Sequence, residues 1–107
     1  MIVRNSDVDI EFMSKGIQRK ILARGGQIMS VEVHFEQGAI AEVHTHPHEQ
    51  IGYVIRGSLE LEIEGEKHII VGGDCFYVNP NIPHGVIALE ETTVLDVFTP
   101  QREDFLR

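Results

Sequence analysis

Hydrophobic and polar residues alternate along much of this chain. Apolar residues occupy every second position from residue 29 to residue 35 and again from 59 to 63, with polar residues between them. This period of two is typical of a β-strand with one buried face. The segment Glu64-Gly65-Glu66 is typical of a tight turn, so the strands at 58–64 and 66–71 are predicted to form a hairpin.

The rest of the chain extends this pattern into an all-β fold. Further short apolar runs, separated by glycine and proline, lie at residues 51–56, 75–78, 84–89 and 92–98. About eight or nine short strands at this spacing predict an antiparallel β-sandwich or small barrel. Residues 14–22 suit either a loop or a strand.

The end of the chain has a different pattern. Residues 100–106 are predicted to form a turn of helix with Pro100 at its first position, and Phe105 and Leu106 are expected to dock on the sheet. No linker, repeat or low-complexity segment interrupts the sequence. Residues 1–107 are therefore expected to form one domain.

Charge and composition narrow the functional classes. Seventeen acidic residues against nine basic ones give a net charge of −8, without the clustered Lys and Arg that nucleic-acid binding requires. No apolar run approaches the ~18 residues of a membrane span, and the first residues do not resemble a signal peptide. One cysteine, Cys75, cannot form an intrachain disulfide, which favours the cytoplasm. An anionic ligand would need a local positive group in this chain.

The densest group of polar residues is the segment His44-Thr45-His46-Pro47-His48-Glu49-Gln50. Histidines two residues apart on a strand point to the same face, so His44 and His46 can converge on one metal ion. Gln50 would enter the next strand, and His84, after a proline-containing turn, could supply a remote ligand. The alternative is a group of surface histidines at a strand end.

The spacing of these residues resembles the two metal-binding motifs of the cupin family. The first has the form Gly-x5-His-x-His-x3-Gln-x6-Gly over residues 38–57, and the second Gly-x5-Asn-x-Asn-x2-His over residues 73–84. The resemblance implies a single-domain cupin with a jelly-roll barrel, completed by the strand and tail at 92–107. It also implies a divalent metal ion, whose ligands would be His44, His46, Gln50 and His84.

Gln50 is the main departure from the family pattern, since many cupins have a glutamate there. Three imidazoles and an amide oxygen are all neutral, so a bound dication keeps its full charge and polarises a ligand more strongly. This favours Lewis-acid chemistry over oxygen activation. The set accepts Ni, Zn, Mn, Co or Fe. Glu49 is the alternative acidic ligand, but its spacing is one residue short of the usual minimum.

The predicted strand at 92–98 places Asp96 and Phe98 on one face. One interpretation puts Asp96 in solvent at a sheet edge, because a buried carboxylate without a partner is costly. In the other, Asp96 and Phe98 lie in the barrel mouth beside the metal, and Arg102 reaches back towards them. Asp96 would then transfer a proton, and Arg102 would offer a planar donor to a carboxylate.

A closer resemblance distinguishes these interpretations. The chain is similar to the KdgF-type cupins of pectin and alginate breakdown at residues 16–22, 38–40, 44–50, 81–86 and 95–105. This implies metal-dependent, isomerase-type ring opening of 4,5-unsaturated monouronates to linear 4-deoxy-5-keto uronates. By position, Asp96, Phe98 and Arg102 would line the catalytic pocket. The substrate would be a small anionic sugar acid, and the protein a homodimer.

Two other functions stay open on sequence grounds, because cupins with similar motifs have varied activities. One is another metal-dependent cupin enzyme, a dioxygenase or a sugar isomerase. The other is a cupin that binds a sugar acid without catalysis. Arg19, Lys20 and His48 suit either substrate contact or solvent exposure. His34 and His68 alternate with apolar residues and are expected to face outward.

Overall fold

Ten β-strands account for most of the computed structural model, which describes residues 1–107. The strands are β1 (Glu11–Ser14), β2 (Ile17–Gly25), β3 (Ile28–Phe35), β4 (Ile40–His44), β5 (Glu49–Arg56), β6 (Ser58–Ile63), β7 (Glu66–Val71), β8 (Cys75–Val78), β9 (His84–Ala88) and β10 (Thr92–Thr99). Short 3-10 turns at Asn5–Asp7 and Glu103–Leu106 complete the secondary structure. No helix has the length and apolar character needed to cross a membrane.

The strands form two antiparallel sheets that enclose the core. The six-stranded sheet has the order β1-β2-β3-β10-β5-β8, and the four-stranded sheet has the order β4-β9-β6-β7. The predicted antiparallel all-β fold is confirmed. The undecided segment 14–22 belongs largely to β2, whereas β1 has no alternating pattern because most of its residues are exposed at the sheet edge.

Side-chain alternation selects the residues of the core. The four apolar residues of β3 between Met29 and Phe35 are buried, while the polar residues between them are partly exposed. The predicted hairpin is formed by β6 and β7, whose turn residues Glu64 and Gly65 have φ values of 51° and 81°. Positive φ at both positions matches the twist of a two-residue hairpin loop.

The C-terminal turn differs in part from the prediction. It begins at Glu103 rather than near Pro100. Phe105 packs against the hydrophobic core as expected, but Leu106 remains 37% exposed, so its predicted docking is wrong. A turn with three residues per repeat directs neighbouring side chains to different faces, and only Phe105 points to the core.

Gly57 makes the crossing between the two sheets possible, since it joins β5 to β6. Its φ is +99°, and a Cβ at this position would lie 2.3 Å from Oγ1 of Thr92 and 2.6 Å from the backbone oxygen of Glu91. Thr92 is fully buried, and its Oγ1 accepts a hydrogen bond from the backbone N–H of Ser58 at 3.1 Å. The crossing therefore requires a residue without a side chain.

We expect Gly57→Ala to lower the free energy of unfolding by about 3 kcal/mol or more, because backbone strain and a steric clash add together. Gly73→Ala is the matched control, because Gly73 also has a positive φ of +95° but has open space around its Cβ position. Its cost should be backbone strain alone, about 1–2 kcal/mol. Denaturant midpoints of the two variants measure the difference, and equal losses would contradict the steric argument.

Candidate metal centre

Three histidines meet at one end of the space between the sheets. His44 is the last residue of β4, and His84 is the first residue of β9 and pairs with it in register. His46 lies beyond the end of β4 in the following loop. The sequence argument that His44 and His46 share a strand face is therefore wrong in its premise. The loop after β4, rather than strand alternation, brings His46 to the cluster.

The geometry of the three rings is that of a metal-binding group. One candidate ligand atom from each ring lies within 4.8 Å of the others. His46 and His84 are only 6% and 5% exposed, whereas His44 lies at the exposed rim. The cluster thus has a buried floor and an open side.

Backbone carbonyls orient each of these rings. Nδ1 of His44, His46 and His84 lies 2.8, 3.1 and 2.9 Å from the carbonyl oxygens of Glu42, His48 and Ile82, respectively. These hydrogen bonds assign the proton to Nδ1 and leave the lone pair of Nε2 available as a ligand. Hydrogen bonds of this kind fix the tautomer and orientation of metal-binding histidines.

Gln50 connects this cluster to Asp96. Its Oε1 lies 2.9 Å from Nε2 of His46, and its amide nitrogen donates to Oδ1 of Asp96 at 3.0 Å. With the His46 proton on Nδ1, an oxygen lone pair faces a nitrogen lone pair, which is unfavourable without a cation between them. A divalent cation held by both atoms would remove this repulsion, because imidazole nitrogen and amide oxygen are both ligands for such ions. The residues present therefore fit a divalent metal ion.

The protonation states of the histidines agree with this assignment. Burial lowers the pKa of His46 to about 4, with a further contribution from the nearby positive charge of Arg102. Burial also lowers the pKa of His84 from its usual value. Both rings are neutral near pH 7, and neutral imidazole is the form that binds a metal ion.

A cavity of about 300 Å³ opens beside the cluster and contains Asp96. The residues that line it include His44, Gln50, His84, Asp96, Phe98 and Arg102. Asp96 therefore faces inward rather than solvent. Burial raises the pKa of Asp96 to about 7, opposed by the hydrogen bond from Gln50 and the charge of Arg102. The volume is at the lower end of the range for small-molecule sites, about 300–1,000 Å³.

Arg102 is 9% exposed and forms an ion pair with Asp104, two residues further along the chain. Its Nε and Nη2 donate to the two carboxylate oxygens of Asp104 at 3.1 and 2.9 Å. The Nε–Nη2 edge of the guanidinium is thus occupied within the protein. Nη1 makes no hydrogen bond to a protein group, so this is the edge that remains for a ligand. Sequence reasoning missed Asp104, although an Arg-x-Asp spacing allows such a pair.

Phe76 is a second cavity residue that sequence reasoning missed. A Cβ at Gly52, which pairs with Asp96 across β5 and β10, would lie 2.2 Å from Cζ of Phe76. The phenyl ring therefore lies across Gly52 and forms a cavity wall next to Asp96. The signal for this contact was a glycine inside an apolar strand, which often marks a close approach.

Several other candidate residues lie outside the cavity. Glu49, the alternative ligand, is exposed and accepts hydrogen bonds from the hydroxyls of Tyr77 and Thr99. Lys20 donates to Asn5. His48 is not among the residues that line the cavity, and its ring centre lies 6.3 Å from that of Phe98.

The remaining histidines do not join the cluster. His34 is partly exposed near Glu91, and His68 is exposed near Glu66. Their predicted outward positions are confirmed. Arg19 forms an ion pair with Glu11 at 3.0 Å and does not line the cavity.

Comparison with known proteins agrees with this arrangement. A family model of the cupin domain matches residues 31–98, which include the three histidines, Gln50 and Asp96. The chain belongs to the cupin family. This cupin is 49% identical to the pectin degradation protein KdgF of Dickeya dadantii (strain 3937) over 98 residues, covering 90% of this chain and 89% of that relative. Within the family it belongs to the KdgF group.

Solved cupin structures share the whole architecture. The structure of KdgF from Halomonas sp. superposes with a TM-score of 0.94 at 41% identity, covering 98% of this cupin and 97% of that chain. An RmlC-like cupin from Shewanella frigidimarina NCIMB 400 also has a TM-score of 0.94, at 32% identity, covering 97% and 94% of the two chains. The strand arrangement that carries the site is therefore common to these cupins.

We expect His84→Ala to reduce the bound metal per chain at least about tenfold, because one of three imidazole ligands is lost. Metal analysis after reconstitution with Ni²⁺ and desalting measures the loading. His68→Ala is the control, since its ring is 55% exposed and lies outside the cluster. Full loading of the His84 variant would contradict the assignment.

Proposed function

We propose that this cupin is an enzyme of pectin breakdown that converts 4,5-unsaturated monouronates into linear 4-deoxy-5-keto uronates. The observation that carries the proposal is one cavity in which Asp96 and Arg102 accompany a neutral histidine cluster. The 49% identity to KdgF over 90% of the chain supports the same substrate class. The reaction is an isomerisation, so it needs no oxidant or reductant.

The proposed metal ligands are His44, His46, Gln50 and His84. A divalent ion bound there supplies Lewis-acid polarisation of the substrate oxygens. The reaction has no net redox change, so Ni, Zn, Mn, Co and Fe remain acceptable metals. Because no ligand is anionic, the site would keep the positive charge that an anionic substrate needs in a chain of net charge −8.

Asp96 is proposed to transfer the proton. The hemiacetal hydroxyl of the substrate loses a proton, the bond between the ring oxygen and the hemiacetal carbon breaks, and the enolate that results gains that proton on carbon. Composition is therefore unchanged between the ring and the linear keto acid. The hydrogen bond from Gln50 places the Asp96 carboxyl next to the cluster, where the reacting oxygens would be held.

Arg102 and the aromatic walls are proposed to orient the sugar acid. The free Nη1 edge of Arg102 would donate to the substrate carboxylate, a charge-assisted hydrogen bond. Phe98 and Phe76 line the cavity and would exclude water from the reacting carbon.

We expect Asp96→Ala to lower kcat by a factor of about 10²–10⁴, the usual contribution of a positioned proton-transfer group. Decay of the ultraviolet absorbance of the unsaturated uronate measures the rate, and metal content should not change. Asp96→Asn should be equally impaired while keeping an acceptor for Gln50. Asp9→Ala, at an exposed position, serves as the control.

Three outcomes would contradict this assignment. Full activity in both Asp96 variants would exclude the proposed proton transfer. Wild-type protein that binds uronate without converting it would support the non-catalytic alternative, and oxygen uptake by the iron form would support a dioxygenase. Treatment of the wild-type protein with a chelator should abolish conversion, and added metal should restore it.

We also propose that the protein is a single-domain homodimer of the cytoplasm. Both edges of the six-stranded sheet, β1 and β8, are unpaired in the isolated chain, and Phe12 on β1 is 76% exposed. Exposed edges of this kind favour association of identical subunits. The free thiol of Cys75 is compatible with a reducing compartment.

Light scattering should give about twice the 12.1 kDa mass of one chain, and Phe12→Glu should lower the measured mass because it places a charge on the exposed edge. Ile2→Glu is a control at another highly exposed apolar position, outside the strands. A monomer mass for the wild-type protein at high concentration would contradict the dimer.

A further inference from the structure

The segment that follows β10 surrounds Arg102 with two of its own residues. The carboxylate of Asp104 accepts two hydrogen bonds from the guanidinium, at 3.1 and 2.9 Å. The ring of Phe105 lies 4.2 Å from the guanidinium carbon, which is also 5.0 Å from the ring of Phe98. We call Asp104 and Phe105 the arginine clamp.

The clamp is itself attached to the sheet. The guanidinium of Arg19 on β2 lies 3.9 Å from the ring of Phe105 and is ion-paired with Glu11. Phe105 also packs edge-on against Phe98, with ring centres 5.9 Å apart. Contacts from two strands therefore hold Phe105 in place.

A second attachment lies just before the clamp. The side chain of Gln101 donates to the backbone oxygen of Gly26 at 2.9 Å and accepts from Arg24 at 3.0 Å. This ties the start of the segment to the turn between β2 and β3. The 3-10 turn that carries the clamp thus lies on the sheet and does not project into solvent.

We propose that Asp104 and Phe105 are positioning residues that hold Arg102 against the cavity with its Nη1 edge free for the substrate carboxylate. A free arginine side chain has about 2 kcal/mol of rotamer entropy, and the clamp removes much of this freedom before the substrate binds. The role rests on the proposed function, in which Arg102 binds the sugar acid.

The charge of Asp104 distinguishes this positioning role from one in which Arg102 attracts the substrate by its charge alone. The carboxylate of Asp104 partly offsets the positive charge that Arg102 presents to the site, and the hydrogen bonds from Arg102 hold the pKa of Asp104 below its usual value. If Arg102 acted by charge alone, Asp104→Asn would remove one negative charge beside the guanidinium and tighten the binding of an anionic substrate. If orientation matters, the same variant weakens binding. The two roles predict opposite signs.

For Asp104→Asn and Phe105→Leu we expect KM to rise about tenfold with kcat within about threefold, as for the loss of one charge-assisted hydrogen bond. Phe105→Tyr keeps the aromatic ring that contacts the guanidinium, so its KM should stay within about twofold of the wild-type value. Glu103→Gln is the control in the same turn, since its side chain makes no hydrogen bond or ion pair. A lower or unchanged KM for Asp104→Asn would overturn the proposal.

A double-mutant cycle distinguishes a role of Phe105 in positioning Arg102 from direct contact between Phe105 and the substrate. In an Arg102→Lys background, which has no guanidinium to orient, Phe105→Leu should raise KM by no more than about twofold. An increase as large as in the wild-type background would show that Phe105 acts on the substrate directly. That result would also overturn its role as a positioning residue.

Chemical labelling tests the arginine clamp independently of enzyme activity. Phenylglyoxal modifies accessible guanidinium groups, and mass spectrometry locates the modified arginine. We expect the modification rate of Arg102 to rise about tenfold in Asp104→Asn, as for the loss of one charge-assisted hydrogen bond. In Phe105→Leu, which loses the cation–π contact, the rate should rise about threefold, while that of exposed Arg107 stays constant in both variants. Equal Arg102 rates in all variants would overturn the clamp. If the wild-type protein converts no uronate, the proposed function fails, and the labelling result still decides the clamp.

Discussion

The register of β10 between β3 and β5 is the constraint on which the site depends. It places Asp96 opposite Val31 on one side and Gly52 on the other, and it places Phe98 opposite Gln50. Side chains alternate along a strand, so a slip of one residue would move Asp96 to the outer face of the sheet. The buried apolar residues of β3 and β10 oppose such a slip, and the hydrophobic core therefore fixes the position of the carboxyl group.

Gln50 connects the histidine cluster to the carboxyl group that this register positions. Its amide has an acceptor and a donor, and the two ends reach His46 and Asp96 at 2.9 and 3.0 Å. A glutamate could not donate to a carboxylate in this way, and it would add a negative charge beside Asp96. The amide thus keeps the cluster neutral and orients the carboxyl group at the same time.

The sequence predicted most strands, because alternation and turn chemistry are local properties. The β6–β7 hairpin follows from Glu64 and Gly65, and β5 and β8–β10 follow from apolar runs between glycines and prolines. It predicted β1 and the start of the C-terminal turn poorly, since an edge strand and a 3-10 turn have weak patterns. The contact of Phe76 with Gly52 joins residues 24 positions apart and depends on the pairing of β5 with β8.

The sequence by itself determined the all-β class, the types of the candidate metal ligands and the shared face of Asp96 and Phe98 on β10, because residue type and strand period decide these features. Only the tertiary structure decided how the ligands converge, since His46 reaches the cluster through a loop. It also decided that Asp96 faces the cavity and that Asp104 occupies the Nε–Nη2 edge of Arg102. Alternation assigns a side chain to a face, but the partner that it meets there depends on the packing of distant segments.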